Sequence, residues 1–360
     1  MTFDPMKPYD DLPLLPPKIQ VETSAVLKKA IGAARALAEL KGLGQTIPNQ
    51  AMLVDSLVLQ EAKDSSAIEN IFTTNDVLFR SYAAKTSFVD AATKEVLRYR
   101  EALWNGFESL KEQPVLSTNL LISIVQKIKE NNAGIRNVPR TVIANSATGE
   151  TIYTPPEGQE ILRDKLANLE QFMQADDAME PLVKLALIHY QFEAIHPFVD
   201  GNGRTGRVLG ILFLTSNRLL DLPVLYLSRY IIEHKHDYYT LLRGVTEKGA
   251  WEPWILYMLD AVEQMSIVTR DRIVAIRALM QQTMEQVKTE LPKIYSKELV
   301  ELLFRQPYTK GQFVVDAEVA KRKTASTYLH ELERIGVLRA QKMGTEVLYL
   351  NTRLYDLLSH

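Results

Sequence analysis

Twelve consecutive residues gather most of the groups in this sequence suited to chemistry on a phosphate: His196-Pro197-Phe198-Val199-Asp200-Gly201-Asn202-Gly203-Arg204-Thr205-Gly206-Arg207. A neutral imidazole at His196 suits proton abstraction near pH 7. Asp200 offers a hard oxygen ligand for Mg²⁺, the usual companion of a nucleotide polyphosphate. Gly201 and Gly203 both permit positive φ, so their N–H groups are expected to turn inward as an anion nest. A helix expected from Arg204 to about residue 215 adds unpaired donors and the positive end of its dipole. Arg204 and Arg207 supply forked donors that match phosphate oxygens. Singly, each part has a plain structural use: a histidine ending a helix, a Gly-Asn-Gly turn, solvated arginines. Phe198 reads as the loop's apolar anchor. Together they point to a nucleotide phosphate.

The elements that must position this loop are helical. Upstream, Leu182, Val183, Ala186, Leu187, Tyr190 and Ala194 recur at helical spacing over 181–195. Pro197 then disfavours helical geometry at His196, which places the imidazole at a helix end. The spacing Gly201-x-Gly203-x-x-Gly206, with Asp221 downstream, also fits a dinucleotide fingerprint. That fingerprint must follow a β-strand in a βαβ unit, and here a helical run precedes it. No Gly-Lys-Ser/Thr occurs at Walker A spacing.

The chain has 360 residues and no cysteine, which excludes disulfides, Cys-ligated zinc and thiol catalysis. With 42 Lys+Arg against 44 Asp+Glu, indiscriminate binding of nucleic acid is not expected, so any basic patch must be local. The start of the sequence lacks the basic-then-apolar pattern of a signal peptide, and no apolar run approaches membrane length. A cytoplasmic address is the simplest expectation.

Prolines at 5, 8, 13, 16 and 17 make the first ~18 residues an extended arm. Amphipathic helical runs begin at Ser24 and continue at about 50–63, 74–85, 91–111 and 117–130. Two β-prone runs, 141–144 and 151–154, flank the turn-rich stretch 145–150 and read as a hairpin with an open edge. Beyond about 290 the pattern becomes three short helices (295–304, 314–320, 324–335), Gly336 as a C-cap, and a hairpin turning at Met343-Gly344-Thr345. That order is a winged-helix pattern. The expected fold class is mainly α: a helical core with a β-hairpin, then a C-terminal winged-helix domain. The expected division is 1–90, 91–290 and 291–360.

The twelve-residue segment matches His-Pro-Phe-x-Asp-Gly-Asn-Gly-Arg-x-x-Arg, and by it the chain resembles Fic-domain proteins over roughly residues 60–260. The resemblance takes in the hairpin and Leu225-Tyr226-Leu227-Ser228. It implies a helical Fic fold and a protein adenylyltransferase, a nucleotidyltransferase that moves AMP from MgATP to a protein hydroxyl and releases pyrophosphate. It further implies that His196 is the general base and that Asp200 holds Mg²⁺ between the α- and β-phosphates. Gly201, Asn202 and Gly203 would form the nest, with Thr205 and Gly206 continuing the nucleotide-binding segment. Arg204 would contact the β-phosphate and Arg207 the γ-phosphate. Glycine at 203, where a phosphate-transferring offshoot carries lysine, favours AMP transfer. The hairpin resembles the family flap, so Thr151, Ile152 and Tyr153 would hold a target segment by strand addition. Tyr238 and Tyr239 fall where the family places aromatic nucleotide contacts, and Thr246 where some members have a polar one.

Ser65-Ser66-Ala67-Ile68-Glu69-Asn70 resembles the family's inhibitory (Ser/Thr)-x-x-x-Glu-(Gly/Asn) motif. Ser65 and Glu69 share a helix face, and the resemblance implies that Glu69 competes with the nucleotide for Arg207. Lys321, Arg322 and Lys323 open the expected recognition helix, with Arg339 and Lys342 flanking the wing. The expected partners are ATP, a target protein or the chain itself, and either DNA or protein at the winged helix, with no membrane; a homodimer is left open. The alternatives are a DNA-binding regulator whose Fic domain senses nucleotide, and an enzyme that removes AMP from proteins.

Overall fold

A computed structural model describes residues 3–45, 50–84, 89–144, 148–343 and 346–359. The molecule is mainly helical, with two small antiparallel sheets. At its centre lies α7 (Pro181–Ile195), buried on almost every side. Its run of Leu182, Val183, Leu185, Ala186, Leu187 and Ile188 leaves no polar face, as a central helix requires. Pro181 opens it, and His196 closes it in the left-handed region at φ 49, ψ 58.

The next helix, α8 (Asn202–Ser216), starts two residues earlier than the spacing suggests, directly after Gly201 at φ 85. Gly203 therefore lies inside the first helical turn, which corrects its expected positive φ. The physical reason is Asn202, whose side chain folds back onto Phe198. Its Oδ1 accepts from the Phe198 N–H at 2.8 Å, and its Nδ2 donates to the Phe198 carbonyl at 2.8 Å. This brace turns the chain so that the helix is already running at 202.

Around this pair pack α1 (Ser24–Gln45), α2 (Gln50–Ile68), α3 (Asn75–Ala84), α4 (Ala91–Glu112), α5 (Thr118–Lys129), α6 (Gln159–Gln174), α9 (Ser228–Glu233), α10 (Lys235–Lys248) and α11 (Trp251–Glu290). Asp90 caps α4 by accepting from Thr93, and Ser117 caps α5 by accepting from Leu120. At 40 residues α11 runs about 60 Å, and the 22-residue α1 packs along part of it. Trp254 on α11 is fully buried and donates to the Ala186 carbonyl at 2.9 Å, fixing α11 to α7.

The hairpin pairs β1 (Ile143–Ala144) with β2 (Thr151–Tyr153); the expected tip at 145–147 lies outside the described residues. The proline-rich arm is non-helical but not free. Leu12 and Leu15 are buried. The Tyr9 N–H donates to Thr154 at 3.0 Å, and Asn168 grips both backbone groups of Leu15 at 2.9 Å. Beyond α11 come α12 (Lys297–Leu303), β3 (Tyr308–Thr309), α13 (Gly311–Asp316), α14 (Arg322–Arg334), β4 (Arg339–Met343), β5 (Glu346–Leu350) and α15 (Thr352–Ser359). The sheet order is β3-β5-β4, all antiparallel. Its turn at 344–345 is outside the described residues. β3 and α15 go unread in the sequence: a two-residue strand carries no period. Tyr308 bonds Asp76 of α3, and its ring lies under Arg80, which ties this C-terminal unit to α3.

One buried cation locks the loop after α7 to the hairpin side. Arg136, between α5 and β1, donates from Nε to the His196 carbonyl at 2.8 Å and from Nη2 to Pro156 at 2.6 Å. Its own N–H donates to Pro197 at 2.9 Å. Arg136→Leu leaves buried carbonyls unpaired, so the unfolding free energy in denaturant is expected to fall by about 3 kcal/mol. A loss below about 1 kcal/mol would show that Arg136 does not anchor the loop.

Candidate active site

His196 stands where α7 turns into the loop, its imidazole walled by protein. Burial, then the nearby Arg136 cation, push its pKa down to about 4, against a smaller upward pull from the Glu193 carbonyl. The ring is therefore neutral at physiological pH and ready to accept a proton. Phe198 is buried against Phe192 and fixes the loop, as its residue type suggests. Beside His196, the amides of Asn202, Gly203 and Arg204 belong to the first turn of α8 and have no carbonyl one turn back. Three free donors at this helix start suit an anion. Thr205 is fully buried and its N–H donates to Gly201, so it has no backbone donor to offer. The Asn202 side chain is spent on the loop brace, which leaves its backbone N–H as its open donor.

Two acids and two cations form a chain along one side. The Lys129 ammonium bonds Asp200 at 2.6 Å and Glu95 at 2.8 Å, and Arg204 bonds Glu95 at 2.5 Å. Burial works to raise the Asp200 carboxyl, but Lys129 and then Arg204 outweigh it and hold it below the usual range. Its side chain is still 62% exposed, so a hard cation can reach it. No cluster of three or more acidic or His ligands occurs among the described residues. The donor set nevertheless fits Mg²⁺ delivered with a nucleotide, which takes one carboxylate and completes its shell with phosphate oxygens and water. Nothing in the sequence pattern marks Glu95 or Lys129, since both come from other helices. They orient Arg204 and Asp200.

Arg207 is buried and held from α2. Its Nε donates to Ser65 Oγ at 2.7 Å, and Nη2 donates to the Ser65 carbonyl at 2.9 Å and to Glu69 Oε1 at 2.8 Å. Burial would raise the Glu69 carboxyl, but the Arg207 charge and hydrogen bond, then Arg204, hold it below its ordinary value. A Cβ at residue 203 would collide with the Glu69 carboxylate. Glycine there gives the Glu69 carboxylate room to lie on the helix, and its value is clearance rather than backbone freedom. Glu61, two turns before Glu69 on α2, is fully buried; it accepts from Tyr99 at 2.9 Å and from both the N–H and hydroxyl of Ser228. It fastens α2 to α4 and α9. The i, i+4, i+8 spacing of Glu61, Ser65 and Glu69 was a legible signal for that face.

The tyrosine pair divides. Tyr238 is core: its hydroxyl meets His189 Nε2 at 2.8 Å and its ring packs against Trp254 and Tyr257. Its expected place beside the nucleotide is taken up by this packing, with no part of the ring open to the cleft surface. Tyr239 is half exposed and lies in the field of Glu69, Arg207 and Glu193. Thr246 meets the Tyr190 hydroxyl at 3.0 Å. Thr151 and Ile152 are partly exposed on β2, whereas Tyr153 is buried and donates to the Ala194 carbonyl at 2.8 Å. Asp221 pairs with Lys41, away from any ribose role.

Comparison with known proteins gives one answer along most of the chain. Residues 27–108 match the Fic/DOC family N-terminal region, 115–214 match the Fic/DOC family, and 279–354 match the C-terminal domain described as "Protein adenylyltransferase SoFic-like". The protein adenylyltransferase Fic of Culex quinquefasciatus is 32% identical over 114 residues, 30% of this chain and 21% of that one. That of Drosophila ananassae is 24% identical over 236 residues, 58% of this chain and 43% of that one. The chain thus spans about a fifth to two fifths of these relatives' length. A Fic family protein from Desulfovibrio desulfuricans G20 has the same fold, with TM-score 0.59 and 19% identity over 93% of this chain and 98% of that one. Fic-1 from C. elegans aligns with TM-score 0.53 and 20% identity, covering 70% and 72%. Among the described residues no helix is long and apolar enough to cross a membrane. With three matched segments in chain order and the fold in agreement, the chain belongs to the Fic/DOC family.

Proposed function

We propose that this protein is a protein adenylyltransferase restrained by its own Glu69. The observation that carries the reading is the neutral His196 imidazole beside the unpaired amides of α8, with Arg207 one turn further along and gripped by Ser65 and Glu69. A base, an anion site and an occupied phosphate donor on one helix end suit attack of a hydroxyl on a nucleotide phosphate. The relatives named as protein adenylyltransferases point the same way.

In this mechanism His196 takes the proton from a target Ser, Thr or Tyr hydroxyl. The hydroxyl oxygen forms a bond to the α-phosphorus of ATP, the bond from that phosphorus to the bridging oxygen breaks, and pyrophosphate departs with the electron pair. The α8 amides and Arg204 face the charge that grows on the phosphate oxygens. Asp200 would hold Mg²⁺, which would neutralise charge on the leaving pyrophosphate. Strand addition along Thr151 and Ile152 of the hairpin places the target hydroxyl. Arg207 receives the γ-phosphate only after Glu69 has left it. A cytoplasmic setting supplies the ATP and suits a chemistry that needs no thiol.

A local observation favours a second role at the C-terminal end, where we read α12 to β5 as a winged helix. Lys321, Arg322 and Lys323 at the start of α14, and Arg339 and Lys342 on β4, are exposed and form no ion pair among the described residues. The neighbouring acids are engaged: Glu331 with Arg334, Glu333 with the Ala340 N–H, Glu346 with Lys310. Five uncompensated cations on a helix start and adjacent wing suit duplex phosphates.

Incubation with ATP labelled at the α-phosphate tests the first role. Glu69→Gly is expected to incorporate about 10- to 100-fold more label than wild type, the worth of one charge-assisted hydrogen bond. Adding His196→Ala to that variant should remove at least about 100-fold. Label from the γ-phosphate instead would mean phosphate transfer, and equal α-label in Glu69→Gly and wild type would remove Glu69 as the restraint. For the second role, binding to a short duplex should weaken steeply with salt and be lost in a Lys321→Ala/Arg322→Ala/Lys323→Ala variant. No binding at low salt would leave this face without a DNA role.

A further inference from the structure

One acid in the cleft has no place in the mechanism above. Glu193 lies on α7, one turn before His196, and its carboxyl turns toward α8. Its Oε1 is buried and has no hydrogen-bond partner among the described residues. The oxygen stands directly on the bare backbone of Gly206, where a Cβ would lie 2.6 Å away. One turn earlier on the same helix, the Glu69 carboxylate rests on Gly203 in the same manner. Two acids thus lie along one stripe of α8, both in the field of Arg207, yet of the two that guanidinium bonds Glu69. The charged and titratable groups facing Glu193 are Arg207 from α8, Glu69 from the end of α2, and Tyr238 and Tyr239 from α10.

We propose that Glu193 is a proton-uptake residue of the nucleotide cleft: it is neutral when a polyphosphate is seated beside Arg207, and as a carboxylate it repels that anion. The inference rests on the nucleotide reading of the site. The physical sequence follows from the arrangement. With Glu69 on Arg207, one cation serves one acid, and burial together with the Glu69 charge, opposed by Arg207, raises the Glu193 carboxyl to about 7. When a phosphate displaces Glu69, Arg207 is committed to the newcomer and Glu193 faces added negative charge with no cation of its own. Ionisation there becomes costly. Once protonated, Glu193 no longer repels the nucleotide. Glu193 thereby acts as a positioning residue for the nucleotide, set apart from His196 and Asp200, which touch the reacting groups.

The sign is definite. Wherever Glu193 is ionised in the free protein, each complex formed takes up to one proton from solution, and affinity falls as pH rises, by up to about tenfold per pH unit. Titration calorimetry of MgATP into the Glu69→Gly protein, run from pH 6.5 to 8.5 in buffers of different ionisation heat, reads both quantities. Uptake approaching one proton and weaker binding at pH 8.5 are expected. The double variant Glu69→Gly/Glu193→Gln should take up about one proton fewer and hold its affinity across that range. Unchanged proton uptake in the double variant, or no uptake in Glu69→Gly at pH 8, overturns the role of Glu193. Absence of MgATP binding by Glu69→Gly at every pH overturns the nucleotide reading itself, which separates the two failures.

Discussion

The guanidinium of Arg207 is the point on which the site turns. It is buried, so it must be paired, and its partners come from a different part of the chain: Ser65 through both hydroxyl and carbonyl, and Glu69 through its carboxylate. An unpaired buried cation costs several kcal/mol. The free protein therefore needs either Glu69 or an outside anion at this position. That requirement joins the N-terminal helices to the His196–Arg207 loop and, on the proposed function, makes occupancy of Arg207 a choice between an internal carboxylate and a ligand. The scaffold supports the choice, with Glu61 fastening α2 to α4 and α9, and Arg136 fastening the loop to the hairpin side.

Backbone and side chain divide the remaining labour in the loop. The left-handed turns at His196 and Gly201 set the direction of the chain, and the Asn202 brace makes α8 begin early enough to present three amides together. Gly203 and Gly206 keep the helix surface bare so that carboxyl groups from α2 and α7 lie directly on it. The His196 ring stays neutral because it is buried near Arg136, and Asp200 stays ionised because Lys129 and Arg204 are close. Two ionisable groups four residues apart are thus held in opposite states by their surroundings.

Much of this was legible in the sequence where the signal was local. The α7 run, the break at Pro197, the glycine-rich loop and the hairpin all follow from spacing and turn chemistry, and Ser65 and Glu69 share a face as their i, i+4 spacing requires. What could not be read was tertiary. Glu95 and Lys129 matter only because α4 and α5 bring them to Arg204 and Asp200. The proline arm reads as extended but gives no hint that Leu12 and Leu15 would be buried against α6. Tyr238 and Tyr239 are adjacent in sequence, and only the helical rotation between them sends one to the core and leaves the other facing the cleft. The role of Gly203 was misread as conformational for the same reason: the carboxylate it makes room for belongs to another helix.

The claim at the centre is that Glu69 and a terminal phosphate compete for one guanidinium. Comparing the affinities of ATP and AMP for wild type and for Glu69→Gly measures that competition without any transfer reaction. The account predicts that removing the carboxylate tightens ATP binding by about tenfold or more, the worth of a charge-assisted bond, and leaves AMP nearly unchanged, since AMP has no γ-phosphate to place on Arg207. Equal tightening of both nucleotides, or of neither, would contradict it.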